Sequence, residues 1–102
     1  MRIVMFCAGG LSSSLLMTKM REAAKKRDLE CTIDAYGSRS FQRLEGADVL
    51  LIAPQVRYLH KIYAKEVKIP YAFIDMSNYG TMNGEAVLDL ALDTLSKAKN
   101  PD

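Results

Sequence analysis

The stretch Asp48-Val49-Leu50-Leu51-Ile52-Ala53 contains an unbroken apolar run, and Pro54 ends it. A strand with one face in water alternates apolar and polar residues, but a strand covered on both faces has no reason to. The run therefore predicts a strand inside a parallel sheet with helices on either side.

Outward from it the same logic recurs. Arg2 to Phe6 is a second short run of strand formers. Past a Gly-Ser segment, an amphipathic helix is expected from Ser14 to about Arg27, with Leu16, Met20, Ala23 and Ala24 at helical spacing. Lys19, Arg21, Lys25, Lys26 and Arg27 read as a solvated face whose basic last turn suits a helix C-terminus. Cys31 to Tyr36 alternates like a strand, Gly37-Ser38 breaks it, and a short helix containing Phe41 and Leu44 follows.

The spacing Val56, Leu59, Tyr63, Val67 predicts a third helix from Gln55 to about Val67, with His60 beside Leu59 on its inward face. Pro70 to Ile74 reads as a fourth strand and Asp75 to Gly80 as a loop. Asn83 then caps a last helix with the stripe Val87, Leu88, Ala91, Leu92, Leu95, which Asn100-Pro101 stops. Strands alternating with helices imply right-handed crossovers, hence a three-layer α/β/α fold around a four-stranded parallel sheet. Ligands of such sheets bind beyond the C-terminal strand ends, near a topological switch point. Cys7, Pro54-Gln55 and Asp75 are all delivered to that edge.

The 102 residues suit one domain spanning 1–102, and 49% hydrophobic with 25% charged residues is ordinary for a globular chain. A formal charge of +2, without basic and aromatic interleaving, argues against nucleic acid. No apolar run approaches the roughly 18 residues that cross a bilayer, so a cytoplasmic protein with no membrane insertion is expected. The two cysteines lie 24 positions apart with no CxxC, and His60 is the single histidine. Zinc ligation and thioredoxin-type exchange have no support, and no metal or cofactor is expected.

The chemistry gathers in Met5-Phe6-Cys7-Ala8-Gly9-Gly10-Leu11-Ser12-Ser13-Ser14. The glycines permit backbone angles that turn successive N–H groups inward, and the start of the helix adds its own unpaired N–H groups and positive dipole end. Residues 8 to 14 thus read as a phosphate cradle. The same field favours a thiolate at Cys7, the nucleophilic form of cysteine. Cys31, in an alternating strand, reads as packing.

Cysteine phosphatases place an arginine six positions after the nucleophile, where this chain has Ser13. A well-placed arginine contributes about 10³–10⁵ to phosphoryl-transfer rates, so its absence argues against fast hydrolysis of a phosphocysteine. A carrier that accepts a phosphoryl group and holds it is the leading reading. A small cysteine phosphatase is the alternative, and a flavodoxin-like module holding a nucleotide or flavin phosphate ranks last, since it has no use for a thiol in the cradle.

Cys7 closing the first strand, the Gly-Gly-Ser-Ser-Ser loop, Pro54-Gln55 after the third strand and Tyr79-Gly80 after the fourth together resemble the IIB components of the bacterial sugar phosphotransferase system. The class resembled is the lactose/cellobiose class, which also handles diacetylchitobiose. The resemblance implies a fold similar to low-molecular-weight tyrosine phosphatases. It also implies a relay in which a histidine-phosphorylated IIA protein donates to Cys7, which passes the group to a sugar bound by the membrane permease IIC. Gln55, Tyr58 and Tyr79 carry over only as neighbours of the loop. Asp75 is the one carboxylate expected near it, and Tyr58, Tyr63 and Tyr79 otherwise read as core edges.

Overall fold

The structure, a computed structural model, describes residues 1–8 and 11–99, excepting the side chains of residues 11–13. Four parallel strands form one sheet in the order β2-β1-β3-β4: β1 Arg2–Cys7, β2 Thr32–Gly37, β3 Val49–Ile52 and β4 Tyr71–Phe73. The two central strands carry the uninterrupted apolar runs. Ile3, Val4, Met5 and Phe6 of β1 and Val49, Leu50, Leu51 and Ile52 of β3 are all fully buried, as strands covered on both faces require. The edge strands β2 and β4 are largely half-buried.

On one face lie α1 (Leu11–Lys26) and α4 (Gly84–Lys99), packed against each other. Leu16, Met20, Ala23 and Ala24 of α1, with Val87, Leu88 and Ala91 of α4, are buried as their spacing predicts. Leu92 and Leu95 are half-buried. Asn83 caps α4: its Oδ1 accepts from the Ala86 N–H at 3.0 Å. The other face carries a 3-10 turn at Phe41–Leu44, another at Pro54–Leu59, and α2 at His60–Glu66. Phe6 of β1 meets Phe41 and Tyr63 there, with ring centroids 5.8 and 5.9 Å apart.

Several expectations are corrected. Helix α1 begins at Leu11 rather than Ser14, so the serines belong to its first turn. The third helix is two pieces, because Val56 leaves helical geometry (φ −116°, ψ 17°) and Leu59 precedes a fresh start at His60. Its stripe of Val56, Leu59, Tyr63 and Val67 is nevertheless buried throughout, while His60 points outward. The segment after β4 is a short helix, α3 (Met76–Gly80), with Asp75 as its N-cap. The basic end of α1 is not simply solvated: Arg27 bonds Glu85 at 2.6 Å and Asp89 at 2.7 Å, tying α1 to α4 and raising its pKa further above the ordinary value. The expected stop at Asn100-Pro101 lies outside the described residues.

Candidate active site

Strand β1 passes to β2 on one side and has β3 on the other, so the switch point of the sheet lies between β1 and β3. Cys7 is the last residue of β1 and pairs in register with Gly37 at the end of β2. Beside it Ala53 extends β3 by donating its N–H to Phe6 O at 2.9 Å, and Ile74 does the same to Ile52 O at 2.9 Å. The C-terminal edge thus aligns Cys7-Ala8, Ala53-Pro54 and Ile74-Asp75 on three adjacent strands.

Only 4% of Cys7 is exposed, and its Sγ donates to Tyr36 O at 3.6 Å. That bond uses the thiol proton, so it exists only while sulfur is neither ionised nor substituted. The end of β2 that supplies the acceptor is itself braced. Tyr63, fully buried, donates its hydroxyl to Ser38 O at 2.8 Å while its ring packs on Phe6. One side chain therefore links the residue before Cys7 to the loop after β2, a role the sequence reading of Tyr63 as a core edge missed.

Ala8 follows Cys7 exposed, and α1 starts three residues later at Leu11. The first-turn N–H groups of a helix have no intrahelical acceptor, and 16 residues of helix stand behind them. Gly9 and Gly10 lie outside the described residues, as do the side chains of Leu11, Ser12 and Ser13; Ser14 is exposed. Among the described residues, no group of three His, Cys, Asp or Glu side chains is gathered to hold a metal.

The other expected neighbours fare differently. Gln55 is exposed in the turn after β3, and Tyr58, read as a core edge, is 74% exposed. Asp75 is exposed at the sheet edge, but its carboxylate is engaged in accepting from Asn78 N–H at 2.8 Å. Tyr79 is buried within α3 rather than lining a loop. Cys31 lies at the opposite edge, beside a hollow of about 500 Å³ lined by Arg21 and Lys25, and burial pushes its thiol up.

A family profile described as the PTS system lactose/cellobiose-specific IIB subunit matches residues 2–90. This chain belongs to the lactose/cellobiose-specific IIB family of the phosphotransferase system. Its IIB sequence is 35% identical over 98 residues to the oligo-beta-mannoside-specific EIIB component of Bacillus subtilis, covering 92% of this chain and 95% of that one. It is also 35% identical over 98 residues to the cellobiose-specific EIIB component of Lactococcus lactis, covering 87% and 91%. Among solved structures, the cellobiose-specific IIB protein of Borrelia burgdorferi superposes with a TM-score of 0.81 at 35% identity over 95% of this chain and 93% of that one. The lactose-specific IIB domain of Streptococcus pneumoniae shares the fold with a TM-score of 0.76 at 19% identity, covering 92% and 96%. IIB components are phosphotransferases of sugar uptake. No helix among the described residues is long and apolar enough to cross a membrane.

Proposed function

We propose that this IIB chain, acting as one domain, carries a phosphoryl group on Cys7, taking it from a phosphohistidine of a IIA protein and giving it to a sugar held by the membrane permease IIC. The sugar is of cellobiose, lactose or chitobiose type; the lactose/cellobiose specificity of the family and the cellobiose specificity of the Lactococcus lactis relative support the first two. The observation that carries the reading is the position of Cys7, which ends β1 at the switch point, four residues before a 16-residue helix begins.

In the first transfer the Cys7 thiol gives up the proton it shares with Tyr36 O, and Sγ attacks phosphorus in line. The Sγ–P bond forms as the P–N bond breaks, and the departing imidazole nitrogen takes the electron pair, so one proton and one phosphoryl group exchange places. The free N–H groups at the start of α1 and the loop of residues 8 to 14 hold the equatorial oxygens, where charge gathers in the transition state. In the second transfer a sugar hydroxyl oxygen bonds phosphorus as the Sγ–P bond breaks, returning the thiolate. The base for that hydroxyl comes from the permease, since Asp75 is committed to capping α3.

The test is the intact mass of wild type and Cys7→Ser after incubation with phosphoenolpyruvate, the general phosphotransferase proteins and a lactose/cellobiose-class IIA. One added phosphoryl group on wild type alone is expected. Equal addition to both proteins would remove Cys7 from the relay.

A further inference from the structure

The Cys7 thiol donates to Tyr36 O at 3.6 Å, which holds its sulfur toward β2 in the resting protein. A carbonyl oxygen that accepts from a thiol repels a thiolate, because each then presents negative charge to the other. Loss of the proton at the moment of attack therefore drives Sγ away from β2 and out of its resting contact. That push is only as firm as the carbonyl is fixed: an oxygen free to swing aside would yield instead of aiming the sulfur.

The pairing of β2 with β1 ends at Gly37, opposite Cys7. Past that point the described backbone hydrogen bonds, Ser40 N–H to Gly37 O at 3.3 Å and Arg43 N–H to Ser40 O at 2.9 Å, stay within the turn itself. The hydrogen bond that ties this turn to the body of the protein is the one Tyr63 donates to Ser38 O at 2.8 Å. Its ring is fully buried and packs on Phe6 and Phe41, with centroids 5.9 and 6.3 Å away, so the hydroxyl has a rigid base. A hydroxyl is costly to bury without a partner, and phenylalanine would fill the same space; what tyrosine adds here is this bond. Burial pushes the phenol up, so the hydroxyl keeps the proton it donates. The Arg43 guanidinium, over the Tyr36 ring at 5.2 Å, is a second hold on the residue whose carbonyl meets the thiol.

We propose that Tyr63 is a positioning residue for phosphoryl transfer: by pinning Ser38 it fixes the Tyr36 carbonyl that aims the Cys7 sulfur. The inference rests on the reading of Cys7 as the phosphoryl acceptor and deepens it.

The test measures single-turnover phosphoryl gain on Cys7, by quenched intact mass, across a titration of phosphorylated lactose/cellobiose-class IIA protein. Wild type is compared with Tyr63→Phe and with Asn83→Ala, which removes the α4 cap on the other face of the sheet and so lowers stability without touching the brace. Unfolded molecules reduce the amplitude of the gain, whereas a misaimed sulfur reduces its rate. Tyr63→Phe is expected to reach the full amplitude at a plateau rate about tenfold below wild type, with the half-saturating donor concentration unchanged; a misplacement of about 1 Å costs up to about 10²-fold. Asn83→Ala should keep the wild-type plateau rate. A Tyr63→Phe plateau rate equal to wild type, at whatever amplitude, overturns the positioning role and leaves that of Cys7 intact. A slowing that Asn83→Ala shares, or a raised half-saturation at an unchanged plateau, overturns it too, the first as a general loss of stability and the second as donor binding. Wild type that gains no phosphoryl group overturns the relay itself, and the positioning role falls with it.

Discussion

Gly84→Ala tests how the helical face of the sheet is assembled. A Cβ at Gly84 would stand 2.4 Å from the Lys19 carbonyl carbon, 2.6 Å from its oxygen and 2.7 Å from its Cβ. Ordinary contact begins near 3.4 Å, so α1 and α4 must part by about 1 Å, and the atoms in the way include backbone that no rotamer can move. Overpacking of this kind costs about 1–3 kcal/mol. Against it stands a helix-propensity gain of at most about 1 kcal/mol, smaller still because Gly84 is the first residue of α4. The net expectation is a loss of about 1–2 kcal/mol, read as a lower urea midpoint with an unchanged m-value and a melting temperature lower by at least about 4 °C. Gly80→Ala is the control, since nothing lies within 4 Å of a Cβ there. A Gly84→Ala protein as stable as wild type would refute the close approach of the two helices.

Tyr63→Phe strands the Ser38 carbonyl and should cost about 1–2 kcal/mol in denaturant unfolding while leaving the ring contacts to Phe6 and Phe41 in place. Burial pushes the Tyr63 phenol up, so the folded state keeps its proton longer than the unfolded chain does. That contribution is complete below the unfolded value of about 10 and lost as pH rises through the folded one, and Tyr63→Phe should flatten the alkaline slope of stability. In a Cys7→Ser background, Cys31 should react with iodoacetamide at pH 8 more slowly than a cysteine peptide, because burial raises its pKa and thins the thiolate; equal rates would contradict its partial burial. With Ser13 where a phosphatase has arginine, the protein should show no enzymatic turnover of an aryl phosphate, and ordinary phosphatase rates would replace the carrier reading.

What the sequence made legible was whatever burial writes as a pattern. The runs Ile3–Phe6 and Val49–Ile52 announce central strands because both faces must be apolar. The stripes of α1, α4 and the region after Pro54 follow from helical spacing, and Asn83 signals its cap by residue type alone. The placement of Cys7, Pro54-Gln55 and Asp75 on one edge followed from topology. The rest depends on contacts between distant segments or on signals too short to have a period. Serines 12 to 14 have modest helix propensity and read as loop and cap, yet the helix already includes them. Five residues cannot display amphipathic spacing, so α3 was invisible except through Asp75, whose cap on Asn78 is an Asx pattern. The break at Val56 and Leu59 turns His60 outward without any proline or glycine to announce it. The partnership of Arg27 with Glu85 and Asp89, 58 and 62 positions away, needs the helices packed before it exists. The brace from Tyr63 to Ser38 is equally tertiary.

The most direct measurement of the central claim is a chase. Protein phosphorylated with isotope-labelled phosphate through IIA is purified free of donor and mixed with membranes holding the matching IIC permease, with and without sugar. The account predicts label leaving the protein only when sugar is added, appearing as sugar phosphate, with Cys7→Ser never acquiring label. Label released as inorganic phosphate whether or not sugar is present, or label retained on Cys7→Ser, would contradict it.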